Sequence, residues 1–545
     1  MAIYGVDLGT TYCAVARIDP ERSPYPIPVP FDDGRAFPSL VLLAPGRRGV
    51  RAVVGTRALE EYRRLIGGRA DPPPNVHLVR GAKNHIGRRP EGDDFGPPWR
   101  VNGVEFTATD VSALILRGLR RRVEMLNLPA MHGVVLTHPQ KFRNLQRLAT
   151  QQAALLAGLD VHGMLTEPDA AAWAYEHSNE TSASRVMSSE PRRTMIFDFG
   201  GGTLDVVLMQ TCRDNAGRFQ TAVVASHGIS CGGLEVDDLV ATNLLRRYSA
   251  ALGVCLEYDF LAEGERIELL SLAEDTKRRL NDLDAIFDNN DWRENAKGVT
   301  IHGLAGHRSL DLSIGLGEFS DWIDPVLTRA DHTLGVALTK AGWSDQDVDV
   351  VQMTGQSSLL VAMLHRLQGR FGRQRVLLKP DPLSHLHPAT IVAAGAAVFG
   401  ENLAHGKPDL VLGAIPEPIS FTARLSTEDR TAEFFPTFKA NTRTPALYQK
   451  TFGLTLRGRR LPDEGRTLPI EVFEGASLTP IGTYHLTFDH PLRDDDDIEI
   501  HFEFARNGRF SMKARYGEEF RDVPVADIDC VLDNDAMRAR RTIIE

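Results

Sequence analysis

An α/β fold followed by a smaller all-β domain is what this sequence predicts, and three observations predict it. Up to about residue 404, strand-like apolar runs alternate with helical patterns, which is how an α/β architecture reads. The stretch His405 to Pro418 then carries two glycines and three prolines around the short run Asp409-Leu-Val-Leu412. Beyond it the pattern becomes apolar/polar alternation, in Leu468–Glu474, Thr483–Phe488, Asp497–Phe504 and Arg509–Tyr516, with Asn507-Gly508 as a hairpin turn between the last two. These shifts divide the chain into an α/β domain over 1–404, a linker over 405–418, a β-sandwich over 419–524 and a short tail over 525–545.

Within the first domain, Gly133-Val-Val-Leu-Thr-His138 is an apolar run stopped by Pro139 and reads as a buried strand. A helix is expected from about Arg143 to Leu156, with Leu145, Leu148, Leu155 and Leu156 as its apolar stripe and Gly158 as its stop. Asn179 to Arg193 is polar, Ser-rich and aperiodic, and reads as a mobile surface loop.

The chain has 545 residues, too many for one core, so two to four domains are expected. An apolar fraction of 42% and a charged fraction of 25% are those of a soluble globular protein. The net charge is −10 with both signs interspersed, whereas a nucleic-acid partner would reward a clustered basic face. The dense block Asp494–Asp497 reads as a solvated turn between strands. Cys13, Cys212, Cys231, Cys255 and Cys530 are scattered, with no CxxC pair, which fits a reducing compartment. The N-terminus enters a strand pattern at once, and no apolar stretch approaches the ~20 residues that span a bilayer. The expectation is a cytoplasmic protein with neither a membrane nor a nucleic acid as partner.

The chemistry is carried by two similar segments. Ile3-Tyr-Gly-Val-Asp7-Leu-Gly9-Thr10-Thr11-Tyr12 opens the first domain, and Met195-Ile-Phe-Asp198-Phe-Gly200-Gly201-Gly202-Thr203-Leu-Asp205 lies near its middle. Each is an apolar strand, an Asp, a glycine-containing turn with threonine, and another strand. Glycines let backbone N–H groups close on phosphate oxygens without a Cβ in the way. An Asp at each strand end offers an oxygen to a hydrated Mg²⁺, which usually keeps several of its waters. Neither segment is a Walker A loop or a dinucleotide fingerprint: a strand follows each turn rather than a helix, and the Walker lysine is absent.

Taken together, these motifs resemble the actin, sugar kinase and heat-shock chaperone ATPases, and within that superfamily the DnaK-type 70-kDa heat-shock chaperones. The resemblance implies a duplicated actin-like, ribonuclease-H-like ATPase domain. Gly81-Ala-Lys83-Asn-His-Ile-Gly-Arg is similar to the family's segment with an essential lysine, and Glu167-Pro-Asp-Ala-Ala-Ala to its Glu-Pro-Thr-Ala-Ala-Ala motif. It implies slow ATP hydrolysis, with ATP/ADP and Mg²⁺ as cofactors. Asp7 and Asp198 would hold the metal mostly through water, with Glu167 behind them. Lys83 would neutralise the γ-phosphate and place the attacking water, Thr10 and Thr203 would offer hydroxyls, and Asp205 would orient the water or take its proton. Glu274, Lys277, Arg278 and Asn281, spaced i, i+3, i+4 and i+7 on one helical face, match the family's ribose and adenine face apart from Asn281. Gly232-Gly233 resembles its Gly-Gly turn below the phosphates.

Departures from the family pattern are informative. Its Gly-Gly-Ser-Thr-Arg-Ile-Pro loop is here Thr354-Gly355-Gln-Ser-Ser358-Leu-Leu360, so Ser358 replaces an arginine that stacks on adenine, and Ala389 replaces an acidic residue. Weaker nucleotide affinity or faster exchange is implied. Leu410-Val-Leu412 survives in the linker, but Gly413-Ala-Ile-Pro416 replaces residues that dock on the ATPase domain. Residues 525–545 leave no room for the family's helical lid. The sandwich resembles a peptide-binding domain, taking extended chain by backbone hydrogen bonds and an apolar pocket. Expected partners are extended client polypeptide, a J-domain co-chaperone and a nucleotide exchange factor. A dedicated ATP-dependent adaptor is the alternative; a sugar kinase, which shares the ATPase core, leaves the β-sandwich unexplained.

Overall fold

The computed structural model describes residues 2–523 and 540, leaving out 32–35, 48, 68–70, 88–98, 182–190, 214–218, 282–291, 378–384, 407–410, 413–414, 416–418, 424–434, 440–441, 443–444, 454–461, 476–478, 494–495 and 506–509. The Asn507-Gly508 turn, most of the Ser-rich loop, Cys530 and nearly all of the tail therefore lie outside the described residues.

Two sheets of matching topology build the α/β part. The first comprises β1 (Ile3–Asp7), β2 (Tyr12–Asp19), β3 (Ser23–Pro28), β4 (Gly133–His138) and β5 (Asp160–Thr166), in the order β5-β4-β1-β2-β3. The second comprises β6 (Arg192–Phe199), β7 (Leu204–Arg213), β8 (Phe219–Ile229), β9 (Val350–Thr354) and β10 (Val376–Leu377), in the order β10-β9-β6-β7-β8. In each, the leading strand runs parallel to one neighbour and forms a hairpin with the other. All six residues of β4 are buried, as its apolar run predicts for a strand covered on both faces.

Helices α1 (Ala108–Met125), α2 (Asn144–Leu156), α3 (Glu167–Thr181), α4 (Gly233–Leu252), α5 (Glu263–Leu280) and α6 (Ile391–Ala404) surround the sheets. Between the sheets lie α3 and α6, both rich in alanine, with Ala170–Ala174 and Ala393–Ala397 in one shared core. Their backbones approach so closely that a Cβ at Gly395 would fall 1.6 Å from the Ala170 carbonyl oxygen. That contact fixes the two sheets relative to each other. Thr107 and Asp110 form a capping box at the start of α1, and Arg540 of the tail donates to both Asp110 oxygens, at 2.8 and 2.5 Å.

Two expectations are corrected in detail. Helix α2 has the expected span, but Leu155 is exposed and Leu145 and Leu148 are only half-buried; its inner face is Ala149, Ala153, Ala154 and Leu156. Small residues at that face let the helix lie close to its neighbours, which leucine counting overlooks. The Ser-rich segment is shorter than expected, because α3 runs on to Thr181 and β6 begins at Arg192.

From Ile419 onward two four-stranded antiparallel sheets face each other. One contains Ile419–Ala423, Phe435–Phe438, Thr467–Glu474 and Thr479–Thr487; the other contains Ala446–Gly453, Asp497–Phe504, Phe510–Tyr516 and Glu519–Val523. Alternate residues of both sheets meet in one core, where the rings of Phe421 and Phe502 are 5.0 Å apart. The four predicted strands are present.

The connection between the two parts is structured where it is described. Val411–Leu412 pairs in parallel with Thr221 and Ala222, lengthening the second sheet at its β8 edge. The two parts also meet through a buried ion pair, Arg147 Nη2 to Glu474 Oε1 at 3.2 Å, with the Arg147 guanidinium 5.6 Å over the Phe504 ring. No helix among the described residues is long and apolar enough to cross a membrane.

Candidate active site

The duplicated sheets deliver equivalent residues to one place. Asp7 ends β1 and pairs across its hairpin with Ala14; Asp198 sits near the end of β6 and pairs with Asp205. Each aspartate also has a threonine at the end of the adjacent parallel strand, Thr137 beside Asp7 and Thr354 beside Asp198. Thr137 Oγ1 donates to Asp7 Oδ1 at 3.2 Å. The turns face each other across a cavity of about 530 Å³, lined among others by Asp7, Gly9, Thr10, Thr11, Tyr12, Lys83, Glu167, Asp198, Gly200, Gly201, Thr203 and Gly233. The hairpins touch: a Cβ at Gly201 would fall 2.2 Å from Thr11 Oγ1, and one at Gly232 2.5 Å from the Gly201 carbonyl carbon. Gly233 N and Leu234 N donate to the Gly200 and Gly201 carbonyls, which sets the start of α4 against the second hairpin.

Charge inside the cavity is dominated by carboxylates. Lys83 and Glu167 form a buried ion pair, and the Lys83 ammonium also lies 5.8 Å over the Phe142 ring. Burial opposes the charged ammonium, but Glu167 and Asp7 outweigh it and hold Lys83 protonated. Burial, then Glu167, pushes Asp7 up to about 7, and the same two causes push Asp205 up to about 7. Burial, Glu167, Asp205 and Asp7 together hold Asp198 well above the usual carboxylate range. At this end of the cavity Asp7, Glu167 and Asp198 surround the Lys83 ammonium, with Asp205 close behind, so carboxyl groups outnumber the ammonium there. Asp198 Oδ2 and Thr11 Oγ1 are buried without a hydrogen-bond partner among the described residues. This all-oxygen set suits a hard divalent cation such as Mg²⁺. No group of three or more His, Cys, Asp or Glu close enough to grip a metal directly occurs among the described residues. When bound, the ion would neutralise phosphate charge.

Behind Lys83, Phe142 stacks on His138 with ring centroids 6.2 Å apart, and His138 Nδ1 donates to the Pro139 carbonyl at 2.9 Å. Burial, then the nearby Arg147 charge, lowers the His138 pKa to about 3. A histidine depressed in the fold stabilises it above the unfolded pKa near 6.5 and loses that contribution as pH falls towards 3. Between pH 6 and 4 the stability of the full chain should drop by about 1.4 kcal/mol per pH unit from this group. Denaturant melts of His138→Gln, compared with the parent, should show a flatter pH profile there; parallel profiles would remove His138 as the cause.

The second wall comes from α5 and the turn after β9. Tyr12 OH donates to Glu274 Oε1 at 2.7 Å and Arg80 Nη2 to Glu274 Oε2 at 2.9 Å, tying α5 to the first hairpin across the cleft. Lys277 reaches Asp237 at 2.7 Å, and Arg278, Asn281 and Gly355 also line the cavity. Of the sequence-predicted residues, Gly202, Asp205, Gly232 and Ser358 do not line it. Gly202 belongs to the second turn and packs against Asn84, Asp205 pairs with Asp198 just behind that turn, and Gly232 packs against Gly201. Ser358 is a correction: it is fully buried, with Oγ donating to the Gly355 carbonyl at 2.6 Å, so it faces the protein and not a nucleotide. Asn281 caps α5 instead of continuing the helical face. Arg80, Asn84, Thr137, Gln356 and Leu359 escaped sequence reasoning. Thr137 was within reach, since it stands one residue past the partner of Val6 in a strand that the sequence predicts.

Two sheets of one topology, each feeding a glycine hairpin and an aspartate into a shared cavity, define an ATPase of the two-lobed, actin-like class. The chain belongs to the Hsp70 family, whose family model (Hsp70 protein) matches residues 3–525. Hsp70 proteins hydrolyse ATP and act as chaperones, binding client polypeptides and co-chaperones.

Proposed function

We propose that this protein is a slow, Mg²⁺-dependent ATPase whose β-sandwich binds extended apolar segments of client polypeptides. One observation carries the reading: both hairpins, the aspartates and the Lys83–Glu167 pair line a single cavity. In this account Asp7, Asp198 and Glu167 hold the hydrated metal, and backbone N–H groups of the turns receive phosphate oxygens. Lys83, oriented by Glu167, steadies γ-phosphate charge and the attacking water. Residues 1–404 form the ATPase domain, 405–418 the linker, 419–524 the peptide-binding domain and 525–545 the tail.

Coupling between the domains is part of the proposal. A contiguous chain of contacts supports it: Lys83 over Phe142, Phe142 on His138, His138 beside Arg147, and Arg147 paired with Glu474 of the sandwich. The paired strand Val411–Leu412 supplies a second tie, despite the altered residues after it. A defined contact of this kind is what two coupled sites need. Steady-state ATPase, measured with and without unstructured peptides and a J-domain protein, tests the reading. Stimulation by both is expected; ATPase activity indifferent to every peptide would favour an adaptor for one dedicated partner.

A further inference from the structure

A nucleotide's base is identified by the hydrogen-bond donors and acceptors along its edge. Sites that present matching polar groups discriminate by 10⁴–10⁵, whereas apolar walls discriminate by about 10–200-fold. At the wall formed by the turn after β9 and the start of α6, the cavity is lined by Leu359, Leu360, Pro388, Ala389 and Val392. None of these carries a polar side chain.

The polar side chains nearby are committed to the protein. Asn281 Oδ1 accepts from Val361 N and its Nδ2 donates to the Lys277 carbonyl, both at 2.8 Å. Ser357 Oγ donates to the Gly200 carbonyl at 2.8 Å, and Ser358 Oγ to the Gly355 carbonyl. His387 Nδ1 accepts from Ala389 N at 3.1 Å. Both Glu274 oxygens are taken by Tyr12 and Arg80. Arg278 and Gln356 remain, lining the cavity with no hydrogen-bond partner among the described residues. A guanidinium stacks on any ring face. A carboxamide offers one acceptor and an NH₂ donor, and by a half-turn serves either the adenine or the guanine edge.

Resting on the nucleotide-binding reading above, we infer that this site binds nucleoside di- and triphosphates with weak selection among bases, its affinity residing in the phosphates. The test is direct titration of the full chain with the Mg²⁺ complexes of ADP, GDP and CDP. Dissociation constants within ~100-fold of one another are expected, and a wider preference for ADP overturns the inference. If none of the three binds, the nucleotide reading itself falls, so the two failures are distinguishable. Gln356→Leu sharpens the test: it should shift ADP and GDP by the same factor. A loss confined to ADP would make Gln356 a dedicated adenine reader and contradict the inference.

Discussion

Single-turnover hydrolysis of ATP by Lys83→Ala should fall by about 10²–10³-fold, while Mg²⁺–ADP still binds. Lys83 supplies the ammonium in a cavity that holds Asp7, Glu167, Asp198 and, just beneath, Asp205. Phosphoryl transfer leaves little covalent work for a protein, so positioning and charge stabilisation carry most of the rate. Removing the ammonium leaves the developing phosphate charge facing carboxylates. Binding should persist, because the hairpin N–H groups and the nucleoside wall are untouched. Glu167→Gln should fall between parent and Lys83→Ala, since it loosens the lysine without deleting it. Rapid-quench measurement of phosphate formation from prebound ATP checks both, and an unchanged rate in Lys83→Ala would remove the catalytic assignment.

The second large effect is expected at the boundary between the two parts. Arg147 and Glu474 are side chains with 9% and 2% of their surface exposed, so neither charge has water to fall back on. Arg147→Ala should cost about 3–5 kcal/mol in the docked arrangement, because it removes the buried cation that faces the Glu474 carboxylate. The expected result is increased protease cleavage within 405–418 and loss of peptide stimulation, with basal hydrolysis largely kept. The double variant Arg147→Met with Glu474→Met should recover much of the docking, since matched apolar replacements of a buried ion pair are often neutral or stabilising. Cleavage that is the same in parent, single and double variants would show that this pair does not hold the two parts together.

Much of the fold was legible in the sequence because its signals are local. A strand, an aspartate and a glycine turn occupy neighbouring positions, and their repetition at Asp7 and Asp198 announced the duplication before any contact was known. The alternation after Ile419 likewise gave strands whose inner residues, such as Ile470, Val472, Ile500 and Phe502, meet in the sandwich core. What was not legible depends on direction and register between distant segments. Ser358 occupies a loop position that suggested a nucleotide contact, yet its hydroxyl turns back onto Gly355. Asn281 continues a charged helical face in sequence, but the helix ends there and its amide serves Val361 and Lys277. Arg80 stands immediately before a recognisable motif, and its partner Glu274 lies nearly two hundred positions away. The surviving linker run Val411–Leu412 joins the β8 edge through backbone hydrogen bonds that need no particular side chains, while 413–414 and 416 of the altered stretch lie outside the described residues.

The central claim, that the two hairpins form one nucleotide site, is tested most directly by calorimetric titration of Mg²⁺–ADP into the full chain and into Gly201→Val. A side chain at position 201 would collide with Thr11, where the first hairpin meets the second. One binding site per chain is expected in the parent, with loss of measurable binding in a variant whose thermal melt still shows a folded protein. Equal affinity for Mg²⁺–ADP in the parent and in Gly201→Val would contradict it.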